Sequence, residues 1–204
     1  MTANLLSAIA VFVSTSIDYL VILTIVFAQT RSRRGVTHVT LGLYLGTAIL
    51  VISSLLAAYV LHFIPEEWII GLLGLIPIAL GIYVAVRKED DDEDEEDELA
   101  ERFEHTRENR LFWTMTLITI ASGGDNIGVY IPYFASLDAS GIISAILTFI
   151  VLSAILCLIG YKIAGIRLIS ETLERYERII VPIVYIGLGI WILLENGTIQ
   201  HFIG

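Results

Sequence analysis

The sequence predicts an all-α integral membrane protein whose six transmembrane helices form two inverted three-helix repeats. Three observations carry that expectation. Long apolar stretches fill most of the chain, all the positive charge is confined to three connecting loops, and polar and glycine motifs recur at a near-constant spacing.

The 204 residues are 56% hydrophobic, with a mean hydropathy of +0.79. Soluble domains are usually about 45–50% apolar and break their apolar runs often. Here the runs are 4–28, 39–61, 68–86, 111–136, 140–161 and 179–195. Crossing a bilayer takes roughly 20 residues. Lipid offers no hydrogen bonds to a bare backbone, so each run reads as a helix, and none alternates strictly enough for a barrel strand. The first run lacks the basic leader of a cleaved signal and contains Asp18, so it reads as a retained span. A single cysteine, Cys157, excludes a disulfide within the chain.

Charge sets the expected orientation. Arg31, Arg33 and Arg34 follow the first run. Arg87, Lys88, Arg102, Arg107 and Arg110 lie between the third and fourth, and Lys162, Arg167, Arg175 and Arg178 between the fifth and sixth. These are all 12 basic residues. The positive-inside rule places those three loops in the cytoplasm and both termini outside a cell membrane crossed six times. The net charge of -10 equals the unbroken acidic run Glu89 to Glu98. That run reads as a solvated loop, with concentration of cations at an inner mouth as the alternative. Residues 99–110 read as a short surface helix. The organisation is thus a first repeat over 1–88, an acidic cytoplasmic loop over 89–110 and a second repeat over 111–204.

The repeat shows in three pairs. Asp18 and Asp125 are 107 positions apart, Gly81 and Gly189 108, and Pro77 and Pro182 105. Three spans per half force the second half to be inverted, a plan of secondary transporters that places the site at the repeat interface.

Asp18 and Asp125 are the candidate site. An acid deep in a span costs on the order of 2.5–3.5 kcal/mol on insertion scales and usually faces a bundle interior or cavity. The alternative is a protonated Asp bonded to a neighbouring helix. Ser14 and Asp18 have the i,i+4 spacing that shares a helix face. Ser122, Asp125 and Asn126 add hydroxyl, carboxylate and amide oxygens, and Gly123-Gly124 is placed to break the helix so that its carbonyls reach a cation. Close packing is the competing use of those glycines. Cys157 would add a soft ligand, though a lone membrane cysteine more often fills space. His38, His62, His105 and His201 all fall at span ends or in loops. Gly42 and Gly46 form a GxxxG pattern read as helix packing within the chain. No phosphate-binding loop is present, so no nucleotide would drive the protein.

The segment Thr119-Ile-Ala-Ser-Gly-Gly-Asp-Asn-Ile-Gly128, continuing through Tyr130-Ile-Pro-Tyr-Phe134, resembles the fourth-helix signature of the CadD-type cadmium resistance transporters, in the lysine-exporter superfamily. Ser16-Ile-Asp-Tyr-Leu-Val-Ile-Leu23, Leu72-Leu-Gly-Leu-Ile-Pro-Ile78, and Tyr185-Ile-Gly-Leu-Gly189 with Glu195-Asn196 resemble the same family. The resemblance implies secondary efflux of Cd²⁺ or a similar divalent cation, and it adds Ser16, Glu195 and Asn196 as weaker site candidates. It departs at one point: the family's fourth-helix signature carries a cysteine near Ser122-Gly123, and this chain has none there. Cadmium therefore comes from the resemblance, since an all-oxygen site favours harder ions.

The expected partners are a divalent cation (Cd²⁺ favoured, Zn²⁺ and Mn²⁺ as alternatives), protons, the lipid bilayer and, as an open option, further copies of the chain. No nucleic acid and no cofactor is expected. The competing readings are a permease for an amino acid or other small solute, a non-transporting membrane scaffold, and an intramembrane aspartyl protease built on the two acids. Against the protease, Ser122 replaces the first glycine of a Gly-x-Gly-Asp element, and Tyr19 follows Asp18 instead of preceding it.

Overall fold

A computed structural model describes residues 2–30, 32–61, 67–86, 106–164 and 167–203. The acidic run 89–98, Arg31, Arg87, Lys88, Arg102, His62 and His105 lie outside the described residues. The described chain is helical and contains no strand. In order the helices are α1 (Thr2–Ser14), α2 (Ile17–Gln29), α3 (Arg33–Leu61), α4 (Glu67–Leu72) and α5 (Leu75–Val86), then α6 (Leu111–Ser122), α7 (Gly124–Ala135), α8 (Ala139–Ile163), α9 (Arg167–Glu195) and α10 (Thr198–Ile203).

Among the described residues, three stretches are long and apolar enough to cross a membrane: Arg33–Leu61, Trp68–Val86 and Ala139–Ile163. Asn4–Ser14 with Ile17–Gln29, bent by 52°, makes a fourth if counted as one span. Leu111–Ser122 and Ile179–Glu195 are apolar but shorter.

The first apolar run is not the single helix its composition suggests. Ser14 Oγ and Thr15 Oγ1 each donate to the Val11 carbonyl at 2.9 Å. Such back-bonding loosens the backbone ladder and bends a helix. Helix α1 ends there, and α2 restarts after Ser16. Of the surface helix expected over 99–110, residues 99–105 lie outside the described residues; the described part is extended at Arg107 and closes into one 3-10 turn, Glu108–Arg110.

Small residues decide the packing. Helix α3 lies along α6 and α7, with Gly42 and Gly46 at the contact. A Cβ at Gly42 would come within 2.5 Å of the Phe112 carbonyl oxygen, and one at Gly46 within 2.5 Å of Thr119 Cβ. The GxxxG pair therefore joins two helices of one chain. We expect Gly46→Val to part α3 from α6 at an overpacking cost of about 1–3 kcal/mol, read as a lower melting temperature in detergent. Unchanged melting would remove this contact from the fold's support. Helix α5 packs chiefly on α9, and α8 packs on both α1 and α2. Asp138 caps α8 by accepting from the Gly141 N–H at 2.8 Å, which holds its carboxyl below the ordinary range.

Many large apolar side chains point outward, among them Leu56, Leu117, Leu147, Leu158 and Ile183. A surface of that kind suits lipid contact and would be a liability in water.

Candidate functional site

Two helix breaks meet inside the bundle. The first lies at Thr15–Ser16 between α1 and α2. The second lies at Gly123, which closes α6 and opens α7. Backbone angles at the two are similar: φ -129, ψ 5 at Ser16 and φ -90, ψ 15 at Gly123. Neither following helix has a side-chain cap, and each carries an acid in its first turn, Asp18 in α2 and Asp125 in α7. A helix N-terminus concentrates positive partial charge, which favours carboxylates there.

Each break is held by the residue that follows the other break's acid. Asn126 donates from Nδ2 to the Thr15 carbonyl at 3.0 Å and to the Tyr19 hydroxyl at 3.1 Å. Tyr19 in turn donates to the Thr119 carbonyl at 3.0 Å, which also accepts from the Gly123 N–H. The Tyr130 hydroxyl lies 3.0 Å from Thr15 Oγ1. Asp18 precedes Tyr19 and Asp125 precedes Asn126, so the Asn126–Tyr19 contact brings the two acids into one neighbourhood.

Oxygen dominates that neighbourhood. Among the described residues, Ser16 Oγ and Asn126 Oδ1 are buried with no hydrogen-bond partner; Ser16 is 2% exposed and Asn126 fully buried. A buried acceptor left open costs about 1–3 kcal/mol, so such atoms mark a place for a ligand or strain. Asp18 is half-buried and Asp125 exposed. Beside it, the Cβ position of Gly124 meets nothing within 4 Å.

The other expected residues are distributed less evenly. Ser14 is buried, but the break beyond it removes the i,i+4 face it was expected to share with Asp18, and its hydroxyl turns back to Val11. Ser122 ends α6, half-buried at the second break. Cys157 is buried in a cluster with Ile22, Leu23, Leu43 and Met115 and hydrogen-bonds Thr40. Its sulfur belongs to that packing rather than to the latch. Glu195 is exposed at the end of α9, and Asn196 closes that end by donating to the Ile192 carbonyl at 2.9 Å; this pair lies where α9 and α10 meet α4. No group of three or more His, Cys, Asp or Glu side chains could hold a metal among the described residues. Any cation here would rest on two carboxylates and neutral oxygens.

Sequence reasoning missed Tyr19, Thr15, Tyr130 and the Thr119 carbonyl. A signal existed for Tyr19: it follows Asp18 as Asn126 follows Asp125, at the same offset of 107.

Membrane-length apolar helices with interrupted helices that bring two acids together at their breaks are the construction of a membrane transporter. The chain belongs to the cadmium resistance transporter family, whose model matches residues 12–204. This is a family of transporters and not of enzymes. Neither a curated protein nor a solved structure matches the chain.

Proposed function

We propose that this protein is a secondary efflux transporter that exports Cd²⁺ or a similar divalent cation across the cell membrane in exchange for protons, with Asp18 and Asp125 as the binding carboxylates. The observation that carries the reading is the mutual latch of two acid-bearing breaks around buried, unpartnered oxygens. Two carboxylates nearly neutralise a divalent ion. Ser16 Oγ and Asn126 Oδ1 are available to complete its shell. Without a cation, two carboxylates in a low-dielectric site share protons. Cation entry displaces those protons, and protons arriving from outside displace the cation. An all-oxygen shell also takes Mn²⁺ and Zn²⁺.

The same reading makes the chain six spans in two inverted repeats, as in the lysine-exporter superfamily. Contacts between helices support it. The first span packs on the fifth (α1 and α2 on α8), and the fourth packs on the second (α6 and α7 on α3), as an exchange of halves requires. Ser16 and Gly123, where the helices break, are 107 positions apart. On α5 and α9, Gly81 faces the Pro182 carbonyl, and Gly189 faces that of Gly74. Adding 108 to 81 and 74 gives 189 and 182, so one contact maps onto the other. The exposure of Asp125 leaves that side open to a water-filled vestibule or a second copy of the chain.

Expression in a metal-sensitive bacterium tests the function. Growth should be protected and cell-associated metal lowered for Cd²⁺, with Zn, Mn and Co as comparisons. Protection against none of the four would overturn the reading. For topology, both termini lie outside and 89–110 inside. With Cys157 replaced, an impermeant thiol reagent should label a cysteine placed near residue 200 and spare one near 95. The opposite labelling would reverse the orientation.

A further inference from the structure

We infer that the hollow at the start of α6, lined by Thr106, Arg107, Arg110 and Thr114, binds the phosphate of an anionic phospholipid in the cytoplasmic leaflet. The choice of leaflet rests on the topology proposed above. The site itself rests on its lining and its depth.

The hollow measures about 430 Å³, within the roughly 300–1,000 Å³ of small-molecule sites. Two guanidiniums and two hydroxyls line it, and no acid does among the described residues. Arginine's planar fork matches phosphate oxygens two at a time. Glu108 lies between the two arginines in sequence but is engaged elsewhere. Its carboxylate accepts from Ser32 Oγ, and its carbonyl oxygen lies 3.1 Å from His38 Nδ1. Arg107 and Arg110 are exposed, so one hollow carries two positive charges that repel until an anion sits between them.

Depth matches the headgroup layer. Helices α3 and α6 run parallel, since Gly35 lies against Leu111, Gly42 against Met115 and Gly46 against Thr119. Both start at one level, where Arg33 and Arg34 of α3 accompany Arg107 and Arg110. From Arg110 to the break at Gly123 the helix rises about 20 Å. With the break at mid-membrane, Arg110 lies past the hydrocarbon edge, about 15 Å from the midplane, and among the headgroups.

The outer face of α6 then follows a lipid molecule inward. Arg110, Trp113 and Leu117 have the i, i+3, i+7 spacing of one stripe. Trp113 is 61% exposed and Leu117 65%. Tryptophan settles at the membrane interface, and an exposed leucine one turn deeper faces acyl chains. A free phosphate would use the arginines alone. A phospholipid uses the whole stripe, and basic pockets beside spans on the cytoplasmic side suit anionic headgroups.

The test places full-length protein in phosphatidylcholine vesicles, with Trp68→Phe and Trp191→Phe leaving Trp113 as its one tryptophan. Quenching of Trp113 is compared between phosphatidylglycerol brominated high on an acyl chain and equally brominated phosphatidylcholine at the same mole fraction. Phosphatidylglycerol should be preferred. Arg107→Gln and Arg110→Gln should each cut that preference about fivefold, the scale of one basic residue at an anionic surface. Arg34→Gln, at the same level but outside the hollow, should change it by less than about twofold, because solvent screens exposed charges at a distance. No preference in the parent protein overturns the inference. An equal loss in Arg34→Gln also overturns it, by making the preference one of general surface charge. So does full displacement by inorganic phosphate at matched ionic strength, which makes a free anion the occupant. A preference that appears only after deletion of Asp90 to Asp97 overturns it too, by making the chain's own acids the occupant. The readout needs neither Cd²⁺ nor a known orientation: reversed cysteine labelling with the preference kept overturns the topology and moves the site to the outer leaflet.

Discussion

Asp18→Asn and Asp125→Asn should each abolish metal resistance at wild-type abundance. The substitution keeps size and one carbonyl oxygen and removes the charge. Unit charges 4 Å apart attract by about 4 kcal/mol at an effective dielectric of 20, and a divalent ion doubles that. Water screens part of the effect, most of all at exposed Asp125. A remainder of about 3 kcal/mol still lowers affinity on the order of 10²-fold. Asp18→Asn, at the half-buried acid, should lower Cd²⁺ affinity the more. Ser14→Ala should leave resistance near normal, because that hydroxyl is turned to the Val11 carbonyl. The measurements are growth in graded CdCl₂, membrane abundance by immunoblot, and proton release on metal addition. Full resistance in both Asn variants would make the acids structural and the proposed site wrong.

Gly123→Ala should cost far more than Gly124→Ala, although the glycines are neighbours. A Cβ at Gly123 would strike Leu50 Cδ1 and the Tyr19 hydroxyl and come within 2.8 Å of the Thr119 carbonyl. That hydroxyl holds both the Thr119 carbonyl and Asn126. Displacing it adds open buried hydrogen bonds, about 1–3 kcal/mol each, to an overpacking cost of similar size. Gly124 has open space, and alanine in a helix stabilises by about 0.4–1 kcal/mol relative to glycine where the backbone suits it. Transport should be lost and melting lowered for Gly123→Ala, with both near wild type for Gly124→Ala. Equal behaviour of the two would mean that the Tyr19 contact does not hold the break.

Helical class and the position of the polar centre were legible because they follow from composition: apolar runs of membrane length, and acids too costly to place there idly. The break at Gly123 was legible for the same reason, since two glycines beside an acid lack both side-chain packing and helix propensity. The break at Ser16 was not. Ser14, Thr15 and Ser16 read as ordinary small helical residues until their hydroxyls are seen turned onto Val11 and Phe12. The i,i+4 argument for Ser14 and Asp18 failed with it, because it assumes a continuous helix. Tyr19 was hidden by its type: an aromatic in an apolar run looks like core, and only the fold shows its hydroxyl reaching another helix. Cys157 read more readily as a packing residue than as a soft ligand, and it is buried in an apolar cluster. The acidic run is unmistakable in sequence and falls outside the described residues.

The Thr15 carbonyl has a consequence for how the chain is made. Its partner, Asn126, is synthesised 111 residues later. At about 5–20 residues per second, the first span waits roughly 5–20 s for the side chain that satisfies its break. An unsatisfied backbone group in lipid costs several kcal/mol. We expect the Thr15 carbonyl to be bonded within its own helix until then, so that the break between α1 and α2 is locked only once Asn126 of α7 packs against it.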